Sequence, residues 1–139
     1  MIKSFYIHNF KSIKDLTVDL AYNAEKAPNG YKKSDSHIFI QTGSKKSDRV
    51  VPVFAVYGAN CSGKSTVLLA MSVLNKFAKG WGPVVLFKPN KLSSLSKDDV
   101  RTTFALEFYC NKKLYAITLT YNAKSILHEE LKVDGEVLY

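Results

Sequence analysis

Residues 50–80 read VVPVFAVYGANCSGKSTVLLAMSVLNKFAKG, and this stretch decides how the rest of the chain is interpreted. Residues 50–57 form a nearly continuous apolar run, which is typical of a strand buried on both faces. Residues 58–65, here called the glycine loop, fit the spacing Gly, four residues, Gly, Lys, then Ser or Thr. Apolar residues then recur at helical spacing. A helix is therefore predicted over residues 64–79, with Gly80 ending it.

The glycine loop has the composition of a phosphate-binding segment. Gly58 and Gly63 allow the backbone to turn and to approach phosphates closely, while successive N–H groups and the positive end of the helix attract anions. In this interpretation Lys64 reaches the β- and γ-phosphates, Ser65 binds Mg²⁺ and Thr66 lies near the α-phosphate. ATP and Mg²⁺ are the predicted ligands, with GTP left open as the alternative nucleotide. The predicted nucleotide-binding residues of this segment are Gly58, Ala59, Asn60, Cys61, Ser62, Gly63, Lys64, Ser65 and Thr66.

The sequence on both sides of this stretch favours strands. Alternating apolar residues predict a strand over residues 1–10 and a second strand over 16–20, joined by a polar turn. Residues 21–36 are interpreted as a polar surface excursion, residues 38–41 as a short strand and residues 81–95 as an irregular connection. Three further strands are predicted at 102–109, 113–121 and 125–133. Asp134 and Gly135 then predict a hairpin turn into residues 136–139.

Composition limits the class of protein and its partners. The chain has 139 residues, of which 46% are hydrophobic, and carries a net charge of +8. These values indicate one globular domain that favours anionic partners. The basic residues are either solvated loop charges or part of a nucleic-acid-binding surface; they are the pairs Lys32–Lys33, Lys45–Lys46 with Arg49, and Lys112–Lys113.

Two cysteines without zinc-site spacing indicate a reducing, cytoplasmic setting, and no apolar run approaches the roughly 20 residues of a membrane helix. Cys61 is interpreted as a tolerated small residue, with a redox role as the alternative. The scattered histidines and glutamates are interpreted as structural or surface residues; they are His8, His37, His128, Glu107, Glu129 and Glu130.

Two segments together resemble a known family. MIKSFYIHNFKSIKD at residues 1–15 and VFAVYGANCSGKSTVLLAMSVL at 53–74 resemble the start of an ABC-type ATPase head. The resemblance is to the SMC-like and RecF-like group, and within it to bacterial AAA-type ATPases related to OLD-family and phage-defence proteins. It implies an α/β (α+β) P-loop NTPase fold, a partial ABC-type lobe with a strand-rich antiparallel subdomain and one main helix after the P-loop. Lys11 and Ser12 are added to the nucleotide-binding residues, because a basic residue at the place of Lys11 reaches the nucleotide in relatives.

On this resemblance, residues 1–139 are the N-terminal part of such a head, with N-terminal strands at 1–57, the loop and helix at 58–80, and a connection with antiparallel strands at 81–139. The expected function is binding of ATP and Mg²⁺ in an ATPase of DNA metabolism or phage defence. The family's Asp-Glu strand, signature loop and switch histidine are not found in this sequence. We therefore expect hydrolysis to need elements supplied by the rest of the head or by a partner.

The expected partners are a second copy of the chain, the remaining part of the head, DNA or a nuclease, with no membrane. A non-catalytic module that binds nucleic acid or protein, with a vestigial glycine loop, is the alternative from another functional class. A self-sufficient nucleotide kinase or GTPase is a third reading, but such folds need further strand and helix pairs after the loop, where this sequence predicts strands alone.

Overall fold

A computed structural model describes six segments of the chain, and every statement about structure below concerns these residues. They are residues 1–22, 40–42, 49–60, 62–80, 87–90 and 100–139.

The described residues form strands at both ends of the chain and one helix between them. The strands of the N-terminal half are β1 (Ile2–Phe10), β2 (Ile13–Asp19), β3 (Ile40–Gln41) and β4 (Arg49–Val50). The helix is α1 (Lys64–Ala78). The strands of the C-terminal half are β5 (Thr102–Cys110), β6 (Lys113–Tyr121), β7 (Ile126–Val133) and β8 (Glu136–Val137).

Six of these strands form a single sheet in the order β2-β1-β5-β6-β7-β8, and every neighbouring pair is antiparallel. The pairing of β1 with β5 joins the N-terminal strands to the C-terminal strands, with Phe5 opposite Leu106 and His8 opposite Thr103. Because side chains alternate along a strand, this register puts Phe5, Ile7 and Phe104 on the same face of the sheet.

Helix α1 covers that face. Val67, Ala70 and Val73 lie three residues apart, as one side of a helix requires, and all three are buried against the sheet. The centre of the core is aromatic: the Phe104 ring centroid lies 5.3 Å from that of Phe10 and 6.0 Å from that of Tyr121. The core therefore lies between one helix and one face of the sheet.

The helix and the C-terminal strands confirm the sequence-based predictions closely. Helix α1 ends one residue before the predicted limit, and the N–H of Gly80, at φ +80, donates to the Phe77 carbonyl at 2.8 Å. Strand β6 has the predicted bounds, and β5, β7 and the hairpin turn at Asp134–Gly135 agree within one residue at each end. The N-terminal hairpin is also confirmed, although its turn is shorter and β2 begins earlier than predicted.

The prediction of a buried strand over residues 50–57 is wrong. Val50 pairs with Ile40, and the Val51 N–H donates to the Leu20 carbonyl at 2.9 Å, but no strand continues beyond this point. Pro52 has no N–H with which to extend the ladder. Val53 and Tyr57 are 76% and 90% exposed. An apolar run indicates a tendency to be buried but does not specify the partner strands that burial on both faces requires.

The predicted fold class is also wrong. The α/β fold of P-loop NTPases, including the partial ABC-type lobe, needs parallel strands linked through helices, whereas all the pairings described here are antiparallel and α1 is the one helix of the described residues. The structure is a mainly antiparallel β-sheet with a single helix on one face. The glycine loop and its helix are thus present without the sheet in which they were expected.

Several predictions concern residues outside the described segments. These are residues 23–36 of the excursion, residues 38 and 39 of the short strand, and most of the connection at 81–95. The first two residues of the excursion contact β4: Ala21 bridges Val50, and the Tyr22 N–H donates to the Arg49 carbonyl. No helix among the described residues is long and apolar enough to span a lipid bilayer.

Replacing Phe104 by Ala should lower the free energy of unfolding by about 3–5 kcal/mol, because the ring is fully buried among aromatic neighbours. Urea denaturation measures this change. Leu68→Ala is the control, since Leu68 is 63% exposed on α1 and should change the free energy by about 0.5 kcal/mol or less. Equal losses in the two variants would contradict a core between α1 and the sheet.

Candidate functional site

The N-terminus of α1 is open to an anion. Its N-cap residue is Gly63, which has a left-handed φ of +96°, and no side chain caps the first turn. No acidic residue lies in that turn. The first N–H groups of a helix have no partner within the helix, so those of Lys64 and Ser65 depend on groups outside it. The combination favours a negatively charged ligand at this end of the helix.

The Lys64 side chain folds back over the glycine loop. Its ammonium Nζ donates to the carbonyl oxygens of Gly58 and Ala59, at 2.8 Å and 2.6 Å. These two contacts connect the last part of the glycine loop, at Lys64, to its first two residues. They also hold the positive charge of Lys64 on the glycine loop, just before the helix begins.

The turn between β1 and β2 forms the other wall of the site. The Ser12 hydroxyl lies 3.2 Å from the Thr66 hydroxyl, at hydrogen-bonding distance. A Cβ atom added to Gly63 would lie 3.0 Å from the same Ser12 oxygen. A side chain at position 63 would therefore press on Ser12, and the absence of one lets the turn approach the helix closely.

Two adjoining cavities lie at this junction. The smaller, of about 170 Å³, is lined by Ser12, Ser62, Gly63, Lys64, Ser65 and Thr66. The larger, of about 320 Å³, shares Ser12, Ser62, Gly63 and Lys64 with it and extends along β2. Its additional lining is partly apolar and is formed by Ile13, Lys14, Asp15, Leu16, Val56, Tyr57 and Val67. A ligand with a charged end and a larger, partly apolar end would match this pair of cavities.

Asp15, which lines the larger cavity, is part of a small polar cluster. Its Oδ1 atom lies 2.7 Å from Nδ1 of His8 and accepts a hydrogen bond of 2.8 Å from the Tyr6 hydroxyl. The hydrogen bonds from His8 and Tyr6 lower the pKa of the Asp15 carboxyl. These two contacts hold the carboxylate in place.

The structure brings together most, but not all, of the residues predicted for the site. Ser62, Gly63, Lys64, Ser65, Thr66 and Ser12 line the smaller cavity. Gly58 and Ala59 contribute through their carbonyl contacts with Lys64. Asn60 and Lys11 are exposed and line neither cavity, and Cys61 lies outside the described residues.

Sequence reasoning missed the lining of the larger cavity. Tyr57 and Val56 were assigned to a buried strand, and residues 13–16 to a turn and the strand after it. One signal could have identified Tyr57: it directly precedes the glycine loop, where an aromatic side chain can contact whatever the loop binds.

The basic pairs do not line these two cavities in the described part of the chain. Lys112 is exposed at the turn between β5 and β6, at the opposite end of the sheet, while the pairs Lys32–Lys33 and Lys45–Lys46 lie outside the described residues. No group of three or more His, Cys, Asp or Glu side chains is arranged to hold a metal ion among the described residues. The hydroxyl of Ser65 is the predicted protein ligand of Mg²⁺, and Ser65 lines the smaller cavity.

A scan against protein-family models matches no family, and a search of curated proteins finds no relative. The resemblance to ABC-type ATPase heads therefore stays a prediction from the residues that carry it.

Gly63→Ala should destabilise the protein by more than Gly80→Ala does. Both glycines have positive φ, so a side chain costs about 1–2 kcal/mol of backbone strain at either position. Only at Gly63 would the new Cβ also meet Ser12, since nothing lies within 4 Å of a Cβ built at Gly80. Urea denaturation of both variants measures the difference. Equal destabilisation would contradict the close approach of the β1–β2 turn to α1.

Proposed function

We propose that the chain binds a nucleoside triphosphate, ATP with Mg²⁺, at the junction of the glycine loop, the N-terminus of α1 and the β1–β2 turn. The single observation that carries the proposal is the geometry of Lys64. Its ammonium lies against the loop carbonyls directly beside an uncapped helix N-terminus. A phosphate group in the smaller cavity would meet this charge and the helix N–H groups from one side.

The adjoining cavities support a nucleotide in preference to a free phosphate ion. The β- and γ-phosphates would occupy the smaller cavity, which is lined by serine, threonine, glycine and lysine residues. The nucleoside end would extend into the larger cavity, where Ile13, Val56 and Val67 offer apolar contact and Tyr57 an exposed ring. Ser65 would provide a hydroxyl to Mg²⁺, with phosphate oxygens and water completing its coordination.

The proposal depends on the local arrangement and not on the overall fold, which differs from that of P-loop NTPases. The resemblance of residues 1–15 and 53–74 to SMC-like and RecF-like ATPases supports the same ligand. It extends the proposal to a cytoplasmic protein of DNA metabolism or phage defence. In that setting the chain would supply the phosphate-binding part of the site. Hydrolysis would need an Asp-Glu strand and a signature loop, which would come from another part of the head or from a partner.

Lys64→Ala should weaken binding of ATP with Mg²⁺ by about 10- to 100-fold, because a charge-assisted contact contributes about 1.5–3 kcal/mol. Isothermal titration calorimetry on the whole chain, with and without Mg²⁺, measures the dissociation constant. Lys113→Ala is the charge-matched control, since Lys113 is exposed at the far end of the sheet and its loss should leave the affinity unchanged.

Two results would contradict the proposal. One is a wild-type chain that gives no binding heat with ATP and Mg²⁺. The other is a pair of variants, Lys64→Ala and Lys113→Ala, that lose affinity equally, because binding would then depend on net charge and not on the loop.

A further inference from the structure

Asn9 is a buried polar residue near the end of β1. It directly precedes the core residue Phe10 and is 3% exposed. A buried amide side chain is costly unless its donor and acceptor are both satisfied. Its φ of +54° is a left-handed conformation that asparagine tolerates better than most residues.

Three hydrogen bonds converge on this residue. Its Nδ2 donates to the Arg101 carbonyl at 2.7 Å, and its Oδ1 accepts from the Asn90 N–H at 3.0 Å. Its own backbone carbonyl accepts from the hydroxyl of Thr102 at 2.9 Å. Asn9 thus ties the end of β1 to two segments that are about 80 to 90 residues away in sequence.

These contacts fix the turn that follows. The Lys11 N–H donates to the Lys88 carbonyl at 2.7 Å, so the turn is held to residues 87–90 at two points. Ser12, the next residue, carries the hydroxyl that contacts Thr66 and approaches Gly63. A change in the anchor at Asn9 would therefore move Ser12 relative to the N-terminus of α1.

We propose that Asn9 is a positioning residue of the phosphate site: its buried amide holds the Lys11–Ser12 turn against the N-terminus of α1. The assignment rests on the proposed function. Asn9 itself lines neither cavity, so it acts on a ligand through Ser12. Asparagine suits this role because the Arg101 carbonyl needs a donor and the Asn90 N–H needs an acceptor. Aspartate would supply only the acceptor, and alanine neither.

The test compares Asn9→Ala with Asn122→Ala. Asn122 also makes two side-chain contacts to backbone, accepting from the N–H groups of Lys124 and Ser125 at 2.8 Å each, but it lies in the β6–β7 turn and lines neither cavity. Both variants should lower the thermal melting temperature. Only Asn9→Ala should also raise the dissociation constant for ATP with Mg²⁺, by about three- to tenfold in calorimetry well below the melting temperature.

A double-mutant cycle with Ser12→Ala tests whether the effect passes through Ser12. Ser12→Ala alone should weaken binding, and Asn9→Ala should weaken it no further in that background. In the ligand-free protein, Asn9→Ala should shift the NMR amide resonances of Gly63 and Thr66, whereas Asn122→Ala should leave them in place.

The outcomes separate this assignment from the proposed function. If the wild-type chain fails to bind ATP with Mg²⁺, the proposed function and this assignment both fall. If the wild type binds but Asn9→Ala matches Asn122→Ala in affinity, or leaves the Gly63 and Thr66 resonances unshifted, the positioning role alone is overturned. Independent, additive effects of Asn9→Ala and Ser12→Ala would overturn it as well.

Discussion

The antiparallel pairing of β1 with β5 holds the N-terminal hairpin to the C-terminal strands and sets where the helix packs. It joins segments about 100 residues apart, with Phe5 opposite Leu106. Its formation must therefore offset the entropic cost of closing a long loop. Its register places Phe5, Ile7 and Phe104 on one face, and a slip by one residue would put Phe104 on the face opposite to Phe5 and Ile7. Helix α1 buries that face, and the position of the helix brings its N-terminus to the β1–β2 turn.

The candidate site is a consequence of this packing. The helix end contributes unpaired N–H groups and the ammonium of Lys64, while the turn contributes Ser12 from a distant part of the sequence. Residues of both parts line both cavities. Asn9 links the core to the site. The end of β1 that supports the core also carries the hydrogen bonds that hold the β1–β2 turn. Stability of the sheet and geometry of the site are therefore coupled at one buried amide.

The elements that were predicted correctly have clear patterns in their own stretch of sequence. Helix α1 follows from apolar spacing and Gly80, and β5 to β7 follow from alternation with polar turns between the strands. The prediction of a phosphate-binding loop follows from GANCSGKS at residues 58–65. The prediction of the fold class was wrong because the apolar run at residues 50–57 indicates burial but does not specify which strands pair with it. The larger cavity was missed because Ile13 and Tyr57 meet only through tertiary packing. Asn9 had a weak signal in the sequence, since it is a polar residue two positions after Ile7 in an alternating strand.

The central claim is that a polyphosphate binds the loop amides at the start of α1. Its most direct test is an NMR titration of the whole chain with ATP and Mg²⁺. Binding at the loop should give saturable shifts of the amide resonances of Gly63, Lys64 and Ser65, with smaller shifts at Ser12 and Tyr57. Shifts confined to exposed basic residues at the far end of the sheet, such as Lys112 and Lys113, with those loop amides unmoved, would contradict it.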